Sequence, residues 1–224
     1  MNNKAVVILS GGMDSTTLLY DVISQGYEVN VLSFNYGQRH KKELDFAKMT
    51  CDKLGLEQKV LDLKVLGEVA PSSLTRDDWD VPEGHYEDDN MKQTVVPNRN
   101  MVMLSLATAY AIGVGANHLF YGAHAGDHAI YPDCRPEFVE AMEKVIRISD
   151  WNPVELHTPY LNIDKGDIAI KGKELGVDYS LTWTCYSGTP EPCLKCGACQ
   201  ERIEAFKKAN ERDPLINESI WQTL

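Results

Sequence analysis

The chain has 224 residues, of which 43% are hydrophobic, and a formal net charge of -11 at pH 7. This length and apolar share are enough to bury a core, as one domain or as a domain with a small appendage. The acidic balance argues against an extended nucleic-acid backbone as a partner, so we expect a small-molecule substrate. No apolar run approaches the ~20 residues that cross a bilayer, and residues 1–4 lead into a strand pattern rather than a signal peptide. We therefore expect a cytoplasmic protein without a membrane partner.

Strand-like apolar runs alternate with helix-period segments along the chain. In order, the pattern predicts strand 5–9, helix 14–24, strand 29–36, helix 41–54, strand 59–65, helix 100–112, strand 118–122, helix 136–148 and strand 154–161. This alternation indicates a Rossmann-like α/β fold, an open and mainly parallel twisted sheet with helices on both faces. Such sheets bind ligands beyond the carboxyl ends of their strands. The residues predicted at those ends are Ser10, Tyr36, Gly122 and Tyr160.

A glycine-rich turn, residues 10–15 with the sequence SGGMDS, follows the first predicted strand. Two consecutive glycines permit positive φ and remove Cβ atoms, so backbone N–H groups can converge on an anion at the start of the next helix. Ser10, Ser15 and Thr16 add hydroxyl donors. No Gly-Lys-Ser/Thr follows, which excludes the ordinary P-loop. The turn therefore predicts phosphate binding, with a plain strand-to-helix turn capped by Asp14 as the alternative.

The segment 76–90 interrupts the alternation of strands and helices. It carries seven acidic residues together with Pro82 and Gly84. We expect a mobile surface loop here. A long loop in a compact domain is often an active-site lid, and a solvated insertion is an equally good interpretation.

Four of the six cysteines fall close together near the end of the chain, as Cys185, Cys193, Cys196 and Cys199 with the spacing C-x7-C-x2-C-x2-C. In a reducing compartment this spacing predicts a closed tetrahedral metal site rather than disulfides. Zinc is favoured over an iron–sulfur cluster because no further cysteine follows Cys199 at ferredoxin spacing, although thiolates suit both. Unliganded structural thiols are the third alternative. The metal is expected to pin residues 198–210 against the sheet, which suggests a catalytic domain 1–180 and a zinc-binding region 181–224.

Residues 10–15 resemble the S-G-G-x-D-S loop of the PP-loop ATP pyrophosphatases, which have the adenine nucleotide alpha hydrolase-like fold. Five motifs together resemble one family, the 7-cyano-7-deazaguanine synthases. The motifs are residues 10–17, Tyr36 to His40 (YGQRH), Val96 to Asn100 (VPNRN), Tyr131 to Arg135 (YPDCR) and the four-cysteine segment after Leu181 to Thr184. One departure is Ala129-Ile130, where many members have a Ser-Gly pair.

This resemblance implies an ATP-dependent ligase of queuosine biosynthesis. Such an enzyme converts 7-carboxy-7-deazaguanine and ammonia to 7-cyano-7-deazaguanine through adenylated intermediates. It would use ATP as co-substrate, Mg²⁺ at the phosphates and a structural Zn²⁺. Its partners would be the small deazapurine substrate and ammonia, with no nucleic acid and no membrane. The family also suggests a cytoplasmic homodimer.

The resemblance implies roles for particular residues. Asp14 would bind Mg²⁺, Lys165 would be a second phosphate-binding lysine, and Arg99 would act in catalysis. The nucleotide would lie on Leu9, Ser10, Gly11, Gly12, Met13, Asp14, Ser15, Thr16 and Thr17, with its adenine beside Phe34 and Tyr36. Arg39, His40, Asp133 and Arg135 are the substrate-side candidates, with ordinary salt bridges as the alternative for each. Lys165 could instead be an exposed lysine at a helix start. The other histidines are assigned no chemistry.

Two rival functions stay open at this level. One is a PP-loop transferase that acts on RNA, such as a thiolase or a lysidine-type ligase, although the acidic charge argues against it. The other is a nucleotide-binding sensor without turnover. Pyrophosphate release from ATP would separate an enzyme from a sensor, and a salt-dependent shift of tRNA would favour the RNA interpretation.

Overall fold

The computed structural model describes residues 3–224. Its centre is a five-stranded sheet with the order β3-β2-β1-β4-β5, in which every pairing of neighbours is parallel. The strands are β1 (Lys4–Ile8), β2 (Glu28–Asn35), β3 (Gln58–Asp62), β4 (His118–Phe120) and β5 (Glu155–His157). The open parallel α/β fold predicted from the alternating pattern is confirmed.

Eight α-helices surround this sheet in the described part of the chain. They are α1 (Met13–Ser24), α2 (Lys42–Leu54), α3 (Lys64–Val69), α4 (Arg99–Val114), α5 (Pro136–Arg147), α6 (Lys165–Glu174), α7 (Gly197–Lys208) and α8 (Glu218–Trp221). Short 3-10 turns occupy Asp89–Thr94, Ala125–Ala129, Pro132–Cys134 and Tyr179–Leu181. Within residues 3–224 no helix is long and apolar enough to span a membrane.

Successive residues of a strand point to opposite faces of the sheet, and in β1 the central residues are buried on both faces. In β1, Val6 packs with residues of α4 and α5 on one face. Its neighbours Ala5 and Val7 pack with α1 and α6 on the other face. All three side chains are fully buried. This arrangement places β1, and the turn that follows it, at the centre of the molecule.

All five strands end before the last residue that the apolar pattern predicts, and the difference is two residues or more in β3, β4 and β5. β3 ends at Asp62 rather than residue 65. β4 ends at Phe120 rather than residue 122, and β5 ends at His157 rather than residue 161. Pro159 lacks a backbone N–H and cannot continue a sheet ladder, which accounts for the short β5. The predicted position of Tyr160 at a strand end is therefore wrong. Tyr160 is fully buried between α1 and α6, where its hydroxyl donates to Asp21 Oδ2 at 3.2 Å.

The region after residue 180 packs against the start of the chain. Phe206 of α7 lies in one apolar cluster with Met13 and Tyr179. The backbone N–H of Trp183 donates to the carbonyl oxygen of Gly11 at 2.8 Å. The C-terminal region therefore adjoins the glycine-rich turn directly.

Candidate functional site

A cavity of about 220 Å³ opens at the carboxyl ends of the strands. Residues from β1, β2, α4, α6 and α7 and from the loops between them contribute to its lining. The predicted site residues in that lining are Leu9, Ser10, Gly12, Asp14, Ser15, Phe34, Tyr36, His40, Arg99 and Lys165. Ser10, Tyr36 and Gly122 do converge there, as the rule for open parallel sheets predicts.

The glycine-rich turn is held by its own hydroxyl groups. Ser15 Oγ accepts from the Ser10 N–H, and Ser10 Oγ accepts from the Gly12 N–H, both at 3.2 Å. Gly12 is the N-cap of α1, so Asp14 lies inside the first turn of the helix. The alternative in which Asp14 caps this helix is therefore wrong. Its carboxylate makes no capping hydrogen bond and lies at the amino end of α1.

The remaining predicted members of this turn lie outside the cavity lining. Gly11 has a φ of 95°, and a Cβ atom there would clash with the carbonyl oxygen of Glu43. Met13 is buried in the apolar cluster with Phe206. The Thr17 hydroxyl donates to the Met13 carbonyl at 2.8 Å. Thr16 is also buried, and its Oγ1 has no hydrogen-bond partner in residues 3–224. Gly11, Met13 and Thr17 thus contribute to the shape and packing of the turn and do not line the cavity.

Asp14 and Lys165 meet across the cavity with a third residue, Glu201 of α7. Lys165 Nζ lies 3.3 Å from Asp14 Oδ2 and also binds Glu201 Oε2. Lys165 is only 7% exposed, so the alternative of an exposed lysine at a helix start is wrong. Burial opposes its charge, but the carboxylates of Asp14 and Glu201 outweigh burial and raise the pKa of Lys165. Lys165 therefore stays protonated in this site.

His124 and Asp127 complete this group. His124 Nε2 lies 3.7 Å from Asp14 Oδ2, 3.6 Å from Asp127 Oδ2 and 4.0 Å from Glu201 Oε1. We call these five residues the lysine cluster: Asp14, His124, Asp127, Lys165 and Glu201. It holds three carboxylates and one lysine. The buried Oδ1 of Asp14 accepts no hydrogen bond from any described residue. The cluster thus has both a surplus of negative charge and a free ligand atom.

Arg99 lies beside aromatic side chains in another part of the cavity. Its guanidinium carbon lies 5.7 Å from the centre of the Tyr36 ring. Burial opposes the guanidinium charge, but Tyr36 and Asp133 outweigh burial and raise the pKa of Arg99. Tyr131 pairs with Tyr186 through their hydroxyl groups at 3.3 Å. We call Tyr36, Arg99, Tyr121, Tyr131 and Tyr186 the arginine pocket, all of which line the cavity. A cation framed by aromatic rings suits a planar anionic ligand.

His40 and Glu43 form a buried polar pair next to this pocket. His40 Nε2 lies 3.5 Å from Glu43 Oε2, and Gln38 donates to Glu43 Oε1 at 3.0 Å. Burial, followed by the charges of Arg99 and Arg39, lowers the pKa of His40 to about 3. Burial raises the pKa of Glu43 to about 8. Both side chains are therefore uncharged near neutral pH.

Three other substrate-side candidates lie outside the cavity lining of the described chain. Arg39 binds the Trp79 carbonyl oxygen and lies 3.9 Å from Asp77. Asp133 accepts from the backbone N–H of Asn100 at 3.0 Å, in the first turn of α4. Arg135 donates to the His128 carbonyl at 2.8 Å. These contacts are those of residues that hold loops in place.

The acidic segment 76–90 folds over the cysteine-rich region. Gly84 N–H donates to the Lys195 carbonyl oxygen at 3.1 Å, and Glu83 pairs with Cys196 as an antiparallel bridge. Within this segment Tyr86 reaches the cavity lining. The placement favours the lid interpretation over a merely solvated insertion.

Cys185, Cys193, Cys196 and Cys199 lie together, with all four Sγ atoms within 4.8 Å of one another. Cys193 Sγ and Cys199 Sγ are 3.9 Å apart. Two Zn–S bonds of about 2.3 Å at a tetrahedral angle separate their sulfur atoms by roughly 3.8 Å. Four thiols in this arrangement fit a single tetrahedral metal ion.

Several residues of the cavity were not predicted from the sequence. They are Glu43, Tyr86, Tyr121, His124, Asp127, Tyr131, Tyr186 and Glu201. Tyr131 opens the YPDCR motif, and Glu201 stands two residues after the predicted metal ligand Cys199. These two positions are the sequence signals by which Tyr131 and Glu201 could have been predicted. Asp127 lies in the 3-10 turn Ala125–Ala129, and His124 is the N-cap of that turn. The turn has no sequence signature, and only the fold brings these side chains to Asp14.

Comparisons with known proteins identify relatives over nearly the whole chain. A profile of the family described as "Queuosine biosynthesis protein QueC" matches residues 4–210. The 7-cyano-7-deazaguanine synthase of Methanoregula boonei is 65% identical over 212 residues, which cover 95% of this chain and 98% of that protein. The enzyme of the same name from Caldicellulosiruptor bescii is 62% identical over 212 residues, covering 95% and 96%.

Solved structures share the fold at low sequence identity. The NMN synthetase of Francisella tularensis superimposes with a TM-score of 0.54 at 12% identity, over 99% of this chain and 84% of that one. The U34-tRNA thiolase NcsA of Methanococcus maripaludis, solved with its 4Fe-4S cluster, gives 0.50 at 17% identity, over 92% and 65%. At these identities the likeness shows the fold alone.

Proposed function

Because the chain belongs to the QueC family, we propose that it is an ATP-dependent carbon–nitrogen ligase that makes 7-cyano-7-deazaguanine from 7-carboxy-7-deazaguanine and ammonia. One observation of the structure carries this proposal: the glycine-rich turn, the lysine cluster and the arginine pocket open into the same cavity. An ATP phosphate chain and a planar carboxylate can therefore meet there. A reaction between two bound substrates needs that proximity.

A carboxylate is a poor electrophile, and the proposed chemistry activates it by adenylation. A carboxylate oxygen attacks the α-phosphorus of ATP, the bond to the β-phosphate oxygen breaks, and pyrophosphate leaves. Ammonia then displaces AMP from the acyl-adenylate and gives an amide. A second ATP adenylates the amide oxygen. Loss of AMP from that species, with loss of the two amide protons, leaves the nitrile.

Lys165 and the glycine-rich turn would supply the electrostatic part of this catalysis. Each adenylation develops negative charge on phosphate oxygens, which preorganised cations and N–H groups stabilise. Lys165 is protonated and held by Asp14 and Glu201, so it needs no rearrangement to face that charge. Ser10 and Ser15 would donate to the same phosphates. Phe34 and Tyr36 would border the adenine.

The lysine cluster fits a magnesium ion. Three carboxylates around one lysine would repel a triphosphate unless a further cation were bound. Carboxylate oxygens are the ligands that Mg²⁺ takes, and Asp14 Oδ1 is buried without a hydrogen-bond partner in the described structure. Asp14 would thus hold Mg²⁺, with Asp127 or Glu201 as further ligands. When bound, the ion neutralises charge on the phosphates.

Arg99 would bind the substrate carboxylate. Its guanidinium offers paired donors that match a carboxylate, and the ring of Tyr121 in the same cavity would lie against a planar deazapurine. His40 would contribute a neutral imidazole beside this ring, because burial keeps its pKa near 3. This proposal assigns recognition to residues that line the cavity. Arg39, Asp133 and Arg135 would act only by holding its walls.

The four cysteines would bind a structural Zn²⁺. A closed set of thiolates leaves no open position for catalysis. The metal would instead hold the amino end of α7 in place, and Glu201 of this helix binds Lys165. Elemental analysis tests the identity of the metal: about one equivalent of zinc supports the proposal, and a visible-absorbing iron cluster overturns it.

Mass spectrometry of the reaction mixture tests the function. The purified protein is incubated with ATP, Mg²⁺, ammonium and 7-carboxy-7-deazaguanine, and the product mass is measured. A nitrile product together with AMP and pyrophosphate supports the proposal. ATP binding without pyrophosphate release would favour the sensor. An amide as the final product would show that the second activation is absent.

We also propose a cytoplasmic homodimer that uses ammonia and binds neither nucleic acid nor membrane. The net charge of -11 supports the exclusion of nucleic acid. Light scattering of the purified protein tests the dimer. A salt-dependent shift of tRNA by the protein would contradict this proposal and favour the RNA-acting transferase.

A further inference from the structure

A second group of metal-ligating side chains lies outside the cavity lining, on β4 and β5, with His118 and Glu155 at the amino ends of these strands. His118 begins β4, and Glu155 and His157 lie on the edge strand β5. His118 is the register partner of Glu155, and Phe120 is the partner of His157. Alternate residues of a strand share a face, so this register places all three polar side chains side by side.

The distances among the three ligand atoms suit a tetrahedral metal ion. His118 Nδ1 lies 2.9 Å from His157 Nε2. Glu155 Oε2 lies 3.7 Å from His118 Nδ1 and 3.8 Å from His157 Nε2. Bonds of about 2.0–2.1 Å at a tetrahedral angle separate two ligand atoms by roughly 3.3 Å. The observed spacings fall on both sides of that value, so shifts of about half an ångström would complete the geometry.

Aromatic neighbours orient the two imidazole rings. Tyr27 meets His118 edge-on at 5.2 Å between ring centres. Phe120 stacks on His157 at 4.6 Å. The two imidazoles are partly buried, whereas Glu155 is half exposed. Metal ions can therefore reach these side chains from solvent.

We propose that His118, Glu155 and His157 form a binding site for a divalent zinc ion, separate from the four-cysteine site. Two imidazoles and one carboxylate are a ligand set that zinc accepts. The site would join β5 to β4. These strands pair over only three residues each, so a metal bridge would strengthen the edge of the sheet. No sequence motif predicts this site, because the ligands come from strands far apart in the chain.

Zinc titration of the folded protein tests this proposal. The protein, with its four-cysteine site loaded, is dialysed against a mild chelator and then titrated with zinc alone by calorimetry. We expect one further equivalent to bind. At zinc a hundredfold above its dissociation constant, the melting temperature should rise by about 5–10 °C. Binding of no further equivalent by the wild-type protein would overturn the proposal.

Matched variants locate the zinc. His157→Gln and Glu155→Gln remove one ligand each, and we expect the His157 change to weaken zinc binding on the order of a hundredfold or more. Glu155 is a surface residue, so its variant keeps the fold even if a histidine variant does not. Glu28→Gln is the control, since Glu28 is an exposed carboxylate at the same end of the sheet. Equal zinc affinity in Glu155→Gln, His157→Gln and wild type would also overturn the proposal.

Discussion

Two neighbouring residues of α7, Glu201 and Arg202, belong to buried charge groups that differ in how completely they are paired. Arg202 binds Asp213 through two hydrogen bonds of 2.7 and 2.9 Å. It also donates to Thr182 Oγ1 at 2.8 Å and to the Tyr179 carbonyl at 3.2 Å. The lysine cluster around Glu201 instead has three carboxylates for one lysine, and Asp14 Oδ1 has no hydrogen-bond partner in the described chain.

The difference separates a structural charge pair from a site built for a ligand. A buried ion pair is tolerated when its remaining donors and acceptors are satisfied, as those of Arg202 are. A buried carboxylate atom without a partner costs free energy, which a bound cation would recover. One turn of helix thus serves both purposes: one side chain fastens the C-terminal region, and its neighbour faces the cavity.

Loss of the cysteine metal should affect both groups, and it is the largest expected effect. Cys196 immediately precedes α7, so Cys196→Ser removes a ligand at the start of the helix that carries Glu201 and Arg202. Structural zinc contributes on the order of 10 kcal/mol, comparable to the stability of a whole domain. We expect misfolding or a much lower melting temperature. Cys51→Ala, a buried cysteine outside the cluster, is the control. A normally stable Cys196→Ser protein without metal would contradict this role.

Arg202→Met should destabilise the protein without changing its chemistry. The substitution leaves Asp213 buried without its cation, which costs about 3–5 kcal/mol. Chemical denaturation measures this loss. The exposed pair of Arg147 with Glu143 provides a control, because Arg147→Met should change stability by less than about 1 kcal/mol. If Arg202→Met matched that control, the pairing would be irrelevant to stability.

Asp14→Asn should have the opposite profile. It removes a charge from a cluster with surplus negative charge, so the melting temperature should stay near normal or rise. Loss of the charge at the reacting phosphates should slow pyrophosphate release at least about a hundredfold, or roughly 2.7 kcal/mol. Asp167→Asn is a control in the first turn of another helix, outside the cavity lining. Near-normal turnover by Asp14→Asn would make Asp14 a structural residue.

The smallest effect concerns Glu43 and pH. Its pKa rises from 4.5 to about 8 on folding, so the folded state binds more protons than the unfolded state between these values. This contribution to stability is present at low pH and is lost as pH rises through 8. Between pH 6.5 and 8 the slope should be at most about 1.4 kcal/mol per pH unit. Glu43→Gln should reduce this slope of the unfolding free energy against pH, and chemical denaturation at several pH values measures it. An unchanged slope would mean that Glu43 is already ionised at pH 6.5.

Local sequence signals predicted the elements that depend on neighbouring residues. The two glycines of residues 10–15 follow a buried strand, and the four cysteines are closely spaced, so their geometry is largely determined within a short stretch of chain. The alternation of strands and helices likewise predicted the parallel sheet. The strand ends were harder, because the apolar character of residues 158–161 reflects burial of Tyr160 rather than sheet pairing.

Contacts between distant segments could not be predicted from spacing. Glu201 reaches Lys165 only because α7 packs on α6, and His124 reaches Asp14 from a turn after β4. Arg39 and Arg135 carry the same charge as Arg99 and stand in equally suggestive motifs, yet only Arg99 lines the cavity. Which arginine faces a ligand depends on the direction of each loop. That direction is a property of the fold.

A crystal structure with Mg²⁺ and a non-hydrolysable ATP analogue tests the central claim most directly. We predict a metal ion about 2.0–2.1 Å from a carboxylate oxygen of Asp14. The phosphates should lie on Ser10 to Ser15 within reach of Lys165, and the adenine should lie beside Phe34 and Tyr36. An adenine bound next to the four cysteines, or a nucleotide bound with Asp14 turned away from both metal and phosphates, would contradict the account.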